Sequence, residues 1–340
     1  MSSSSVELEA PRTRAGEVRI APLSAATYIR HAVHGPDRIW PETNCYTDLV
    51  VELVHGLGFE PLAMLAYTLA IDFEGDQWTF FKPVHAELYD LYGFDIQELA
   101  VWRRLVDHVV EQVRAGNMPL VEVDSWYLPD TAGTAYRRAR TKSTIGVNAI
   151  DLDRRWMGYF HNAGYYELEG EDFDEIWQLG GVAHERMLPP YVEYVKRRPA
   201  YMPPRGAEVA RMARPLLARH LDHAPRSNPF ERFAGRFGAD LPGLLAADIS
   251  HFHAYSFATL RQYGACYGLA EAHLRWLAGQ GAPGLVAAAE AFGEIAQTAK
   301  SFQFQLARAM ARKKPLDLAP LDAMAGQWER GMALAREASG

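Results

Sequence analysis

The sequence predicts an α+β domain followed by an all-helical domain. Three observations carry that reading. Between residues 45 and 115, apolar side chains recur mostly at helical spacing. Between 119 and 168 they alternate in short runs parted by turns, the pattern of an antiparallel sheet. Beyond a basic, proline-rich connector at 196–205, the helical period returns and holds. The expected organisation is a disordered tail over 1–18, an α+β domain over 19–200 with helices first and sheet second, and a helical domain over 201–340.

In order, Glu17 to Pro22 reads as a short strand, and Ala25 to His34 as a helix leading to Gly35-Pro36. Trp40-Pro-Glu-Thr-Asn-Cys-Tyr-Thr-Asp48 is a loop running into a helix, where Leu49, Val50, Leu53 and Val54 keep helical spacing. Thr43 or Asn44 supplies the N-cap, because a short side-chain oxygen there accepts an orphan backbone N–H. Gly56 closes the helix, and Cys45 falls on its first turn. Phe59-Glu-Pro61 opens a second helix to Leu69. Ile71 to Pro83, dense in acids and aromatics, reads as a strand or extended turn after Gly75. Glu87–Tyr92 and Asp95–Ala115 read as helices, the second stopped at Gly116-Asn117. Strands follow at 119–128, 143–150, 156–162 and 165–168, with a turn at 151–155. Helices are then expected at 207–220, 241–263, 266–278, 283–312 and 321–335. They form a bundle with Phe252, Leu260, Leu274, Trp276 and Leu277 inside.

Composition excludes several classes. The chain has 340 residues, 49% hydrophobic and 23% charged, as in ordinary globular proteins. No apolar run reaches the length of a membrane span, and the first residues lack the basic start and apolar core of a secretory signal. A net charge of −7 argues against a general nucleic-acid binder. The two cysteines, Cys45 and Cys266, make no disulfide framework, and a cytoplasmic setting is expected. Cys266, among Ala265, Gly268 and Ala270, reads as packing. There is no CxxC, HExxH, GxSxG, P-loop or dinucleotide fingerprint. No metal and no cofactor is expected.

The residues that carry chemistry start with Cys45. The partial positive charge at a helix start suits an anionic nucleophile, and its free N–H groups suit an oxyanion. A lone cysteine is also a common small buried hydrophobe. His161 is the expected base, taking the thiol proton and returning it to a leaving group. The competing reading is a core histidine bonded to backbone. Neighbours on a strand point to opposite faces, so only one of His161 and Asn162 serves the site. Lys142, at the head of a strand, either pairs with a carboxylate or is the polar partner of Cys45. Asp124 and Ser125 orient either partner. Asp72, Glu74 and Asp76, beside Gln77 and Lys82, hold a substrate amine or brace a loop, and their spacing is not that of a calcium loop. Lys196, Arg197, Arg198, Arg205, Arg211 and Arg214 form a positive patch for an acidic partner or a phosphate, or a solvated linker.

Several strings carry a resemblance: Asn44-Cys-Tyr-Thr-Asp48, Asp72-Phe-Glu-Gly-Asp-Gln-Trp-Thr-Phe-Phe-Lys-Pro83, Glu122-Val-Asp-Ser-Trp-Tyr-Leu-Pro-Asp-Thr131, Gly158-Tyr-Phe-His-Asn-Ala-Gly-Tyr-Tyr166 and Lys300-Ser-Phe-Gln-Phe-Gln-Leu-Ala-Arg308. The chain resembles, over nearly its whole length, a bacterial family known as a domain of unknown function. Its genes lie beside carrier proteins and amino acid:carrier-protein ligases. A remoter resemblance is to papain-like proteins of the bacteriocin-peptidase type and the butirosin-type acyltransferases. Those place a cysteine at a helix start, a histidine at the head of a later strand, and an Asp or Asn at the end of the next. Cys45 matches the first slot, and His161 or Asn162 falls near the third. The second falls at Thr141-Lys142, which holds no histidine.

The resemblance implies a papain-like domain with a helical C-terminal domain. It implies an acyltransferase that passes an aminoacyl group from the phosphopantetheine arm of an acidic carrier protein, through Cys45, to a small acceptor. Two alternatives stay open: a papain-like hydrolase, and a carrier-binding pseudoenzyme without turnover. No nucleic-acid or membrane partner is expected.

Overall fold

A computed structural model describes residues 16–41, 44–180, 191–198 and 200–339. It is a mixed α+β protein with an antiparallel sheet in the N-terminal half and an all-helical C-terminal region. Most of the expected tail, and Thr43 as an alternative cap, lie outside the described residues.

The first half contains β1 (Val18–Arg19), α1 (Cys45–Gly56) and the short hairpin β2 (Phe73–Glu74) and β3 (Gln77–Trp78). Next come α2 (His85–Tyr92), β4 (Phe94–Glu98), α3 (Leu105–Arg114), β5 (Met118–Asp124), β6 (Lys142–Asp151) and β7 (Trp156–His161). It closes with β8 (Gly164–Glu169), α4 (Glu171–Ile176) and β9 (Val192–Arg197). The main sheet runs β4-β9-β5-β6-β7-β8, and β1 pairs with the far end of β6. Every pairing is antiparallel.

Several expectations change here, those at 25–34 and 95–115 because a distant contact outweighs local preference. Residues 25–34 form turns and a short 3-10 helix at Ala32–His34. Glu52, on α1, draws the segment out of a helix by accepting from the Tyr28 hydroxyl at 2.6 Å and the His31 backbone N–H at 3.1 Å. The long helix expected at 95–115 starts as strand β4, because Phe94–Glu98 pairs residue for residue with β9. That pairing also makes part of the expected connector a strand. The helix after Pro61 is 3-10 over Pro61–Ala70, with the Glu60 carboxylate accepting from Leu62 N–H.

The second half holds α5 (Ala207–His223), α6 (Pro229–Ala246), α7 (Ile249–Ala258), α8 (Leu260–Gly279), α9 (Val286–Arg312) and α10 (Ala319–Ser339). The single helix expected at 241–263 is divided. Asp248 caps α7 by accepting from His251 N–H at 3.0 Å, and Thr259 leaves helical geometry before α8. Asn228 caps α6, an N-terminus that periodicity alone missed.

The sheet has two covered faces. Met118, Leu120, Phe160 and Tyr165 pack with α1 and, through the 61–70 helix, with the helical half. Val121, Val123, Ile145, Val147, Tyr159 and Leu168 pack with α3 and α4. The first core is continuous across both halves. Trp40 is buried against α8 and α9, donating to the Ala296 carbonyl at 2.9 Å. Trp78 packs in tilted and edge-on contact with Phe230, Phe233 and Tyr263.

Candidate functional site

Cys45 is the first residue of α1 and is half-buried. Asn44 sets the helix start: its Oδ1 accepts from Thr47 N–H at 3.0 Å while its Nδ2 donates to the Phe81 carbonyl at 2.7 Å. Cys45 shares a helical face with Leu49, one turn on. Leu49 packs against Gly146 of β6, and Gly56 lies against the Phe160 ring. That face of α1 therefore meets the sheet and crosses its strands, with the first turn of the helix toward β9. On the same sheet face, Lys142 donates to Glu122 at 2.6 Å. Lys142 is mostly exposed. Beside Cys45, the buried Tyr46 donates its hydroxyl to Glu193 at 2.8 Å, and His85 Nε2 lies 3.3 Å from that hydroxyl. Burial, then the Glu193 carboxylate, raise the Tyr46 hydroxyl far above its usual range. Lys82 sits over the Tyr46 ring. Among the described residues, the Cys45 sulfur has no hydrogen-bond partner.

His161 does not join this group. It stands opposite Ile145 in register, so its ring points to the other face of the sheet, toward α3 and α4. There Nδ1 is 2.6 Å from Asp130 Oδ2 and Nε2 is 2.6 Å from Ser143 Oγ. The second oxygen of Asp130 accepts from the Tyr159 hydroxyl at 2.6 Å. His161 is thus neither the base of Cys45 nor a core histidine held by backbone. Asn162 is a hairpin residue with φ of 45°, a left-handed position asparagine tolerates.

The remaining candidates are dispersed. Asp124 caps a short turn through Trp126 N–H at 3.0 Å and pairs with Arg140 at 2.5 Å. Ser125 is buried and its hydroxyl has no partner among the described residues. Asp72 forms an ion pair with Arg232 of α6, which also donates to the Phe73 carbonyl at 2.8 Å. Its charge is thereby committed to joining the halves. Glu74, Asp76 and Gln77 are exposed on the hairpin. In the connector region, Arg198 pairs with Asp95 and Arg211 with Glu208, so part of that positive charge is neutralised within the chain. Cys266 is buried, lies 3.3 Å from the Thr68 carbonyl, and burial raises its thiol well above the usual range. No three His, Cys, Asp or Glu side chains gather as a metal set among the described residues.

Sequence reasoning missed Asp130, Ser143 and His85. Each is a common residue in an ordinary context, and only the strand register and the fold of the 125–141 loop bring the first two to His161. It also missed a polar network behind α1. His34 lies between Asp48 and Glu52, contacting both, and Arg38 donates to Asp48 at 2.9 Å.

These features define a two-part protein: a sheet with helices on both faces, joined to a helical bundle through one shared core, with a cysteine at the start of the helix that crosses the sheet. The chain belongs to the DUF1839 family. Residues 29–197 match the DUF1839 N-terminal domain, and residues 206–337 match the DUF1839 C-terminal domain. No curated protein matches it. Among the described residues, no helix is long and apolar enough to cross a membrane.

Proposed function

We propose that the chain is an acyltransferase of papain-like layout, with Cys45 as its nucleophile. An aminoacyl thioester on the phosphopantetheine arm of an acidic carrier protein is the donor. The sulfur attacks the thioester carbonyl, the arm leaves as a thiol, and the acyl group passes from Cys45 to a small acceptor amine. Exchange between thioesters is nearly balanced in energy, so the protein acts mainly by positioning and by excluding water. The single observation that supports this reading is the placement of Cys45. It is a partly buried cysteine on the first turn of a capped 12-residue helix, laid on the sheet face that carries Lys142 and Glu122. The free N–H groups of that turn can receive an oxyanion. His85, whose Nε2 lies 3.3 Å from the hydroxyl of the neighbouring Tyr46, replaces His161 as the candidate proton acceptor.

The test is to load a carrier with a radiolabelled amino acid and follow label onto the protein. Wild type is expected to take label that thiols release, and Cys45→Ser to lose it. Equal labelling of the two overturns the proposal. A second reading, a binding module without turnover, is supported by the lack of a partner for the sulfur among the described residues. It expects carrier binding unchanged in Cys45→Ala and no acyl product.

A further inference from the structure

The second polar assembly lies on the sheet face away from Cys45, and the acyl transfer proposed above does not use it. Asp130, His161 and Ser143 form one chain: carboxylate to Nδ1 at 2.6 Å, Nε2 to hydroxyl at 2.6 Å. With Nδ1–H donating to Asp130, Nε2 is left to accept from the Ser143 hydroxyl. That is the relation of acid, base and nucleophile that activates a serine. Tyr159 holds the far oxygen of Asp130, which fixes the carboxylate against rotation.

Position fits the chemistry as well as distance. Ser143 is the second residue of β6 and His161 the last of β7, so the pair sits at the rim of the sheet rather than in its middle. His161 has no exposed surface and Ser143 keeps 7% of its own. Ser125 supplies an independent observation. It lies one residue beyond the end of β5, and its backbone N–H donates to the Thr141 carbonyl at 2.9 Å, two residues before Ser143. Its hydroxyl is buried and without a partner among the described residues, although buried hydroxyls are ordinarily satisfied. A buried hydroxyl left open near the head of β6 is a donor that a developing oxyanion can use.

We infer that Ser143 is a second nucleophile, giving the chain a hydrolase activity on short acyl esters and thioesters that is independent of Cys45. Ser143 Oγ bonds to the acyl carbon while its proton moves to His161 Nε2. The C–O or C–S bond to the leaving group then breaks, and the leaving group takes that proton. Water attacks the acyl-serine, giving its proton to His161 and then to Ser143, and the carboxylic acid departs. Asp130 keeps the imidazole in the required tautomer, and Ser125 donates to the carbonyl oxygen.

The experiment uses the full chain in a Cys45→Ala background, with p-nitrophenyl acetate as substrate and a fluorophosphonate as probe. Hydrolysis and phosphonylation are expected to persist without Cys45. Peptide mapping of the probe is expected to find Ser143. Ser143→Ala should lower kcat by about a thousandfold or more, and Asp130→Asn should lower kcat with KM little changed. Mapping is done on protein with an intact Ser143, so it stays decisive even if Ser143→Ala fails to fold. Probe on another residue, no probe uptake at all, or undiminished hydrolysis by folded Ser143→Ala would each overturn the inference. The carrier-labelling result for Cys45 is read separately, so either site can fail without the other.

Discussion

Asp48 has no exposed surface, yet it is charged. Burial alone would raise its carboxyl. Arg38, at 2.9 Å, and His34 outweigh that and bring it down to about 2. His34 is the converse: burial lowers it, but hydrogen bonds to Asp48 and Glu52 outweigh the burial and raise it. The two groups act on stability in opposite pH ranges. The depressed Asp48 adds stability that is complete above its ordinary value of 3.8 and is lost as pH falls toward about 2. The raised His34 adds stability that is complete below its ordinary value of 6.5 and declines as pH rises through its higher folded value. Melting temperature is therefore expected to fall between pH 4 and pH 2. Asp48→Asn should flatten that slope and cost about 3–5 kcal/mol at neutral pH, because it leaves the largely covered Arg38 without its counter-charge and His34 with Glu52 alone. Thermal melts of both proteins across pH check this. A slope unchanged in the variant would remove Asp48 as its source.

α1 is the element that ties the site to the sheet, and it touches the sheet through glycines. A Cβ built on Gly56 would come within 2.6 Å of the Phe160 ring, and one on Gly146 would meet Leu120 and Leu49. Gly56→Ala is expected to destabilise by about 1–3 kcal/mol through overpacking, measured by urea unfolding. Asn44→Ala should cost about 1 kcal/mol by freeing Thr47 N–H and the link to Phe81. Reading α1 from sequence required only local signals: a cap, a periodic apolar face and a closing glycine. β4 was read as helix because its strand state depends on β9, about a hundred residues away. The division of α7 from α8 at Thr259 was also illegible, since no glycine or proline marks it.

Over the whole molecule, the family's two domains do not have separate interiors. Trp40 reaches into the helical half, where Gly264 leaves room for its ring and Lys300 lies over it. The β2–β3 hairpin reaches the same half through Trp78 and the Asp72–Arg232 pair. Calorimetry is therefore expected to show one cooperative transition, and two well-separated transitions would contradict a shared core. Trp40→Ala should cost about 3–5 kcal/mol, as an aromatic deletion in a core does. Activity of either site on a fragment alone would be lost with that core.

The amino-acid sequence by itself determined α1 with Cys45 on its first turn, strands β5 to β8, and a helical second half. Each follows from periodicity within a dozen residues. It did not determine which chemistry faces which. β6 and β7 are buried nearly along their whole length, because helices cover both sides of the sheet. Their residues carry no polar alternation to show which side is which, and only the register assigns them. Tertiary structure alone therefore turned His161 away from the cysteine and set it between Asp130 and Ser143. One step along a strand moves a side chain to the opposite face of the sheet, and nothing local to that strand records the choice.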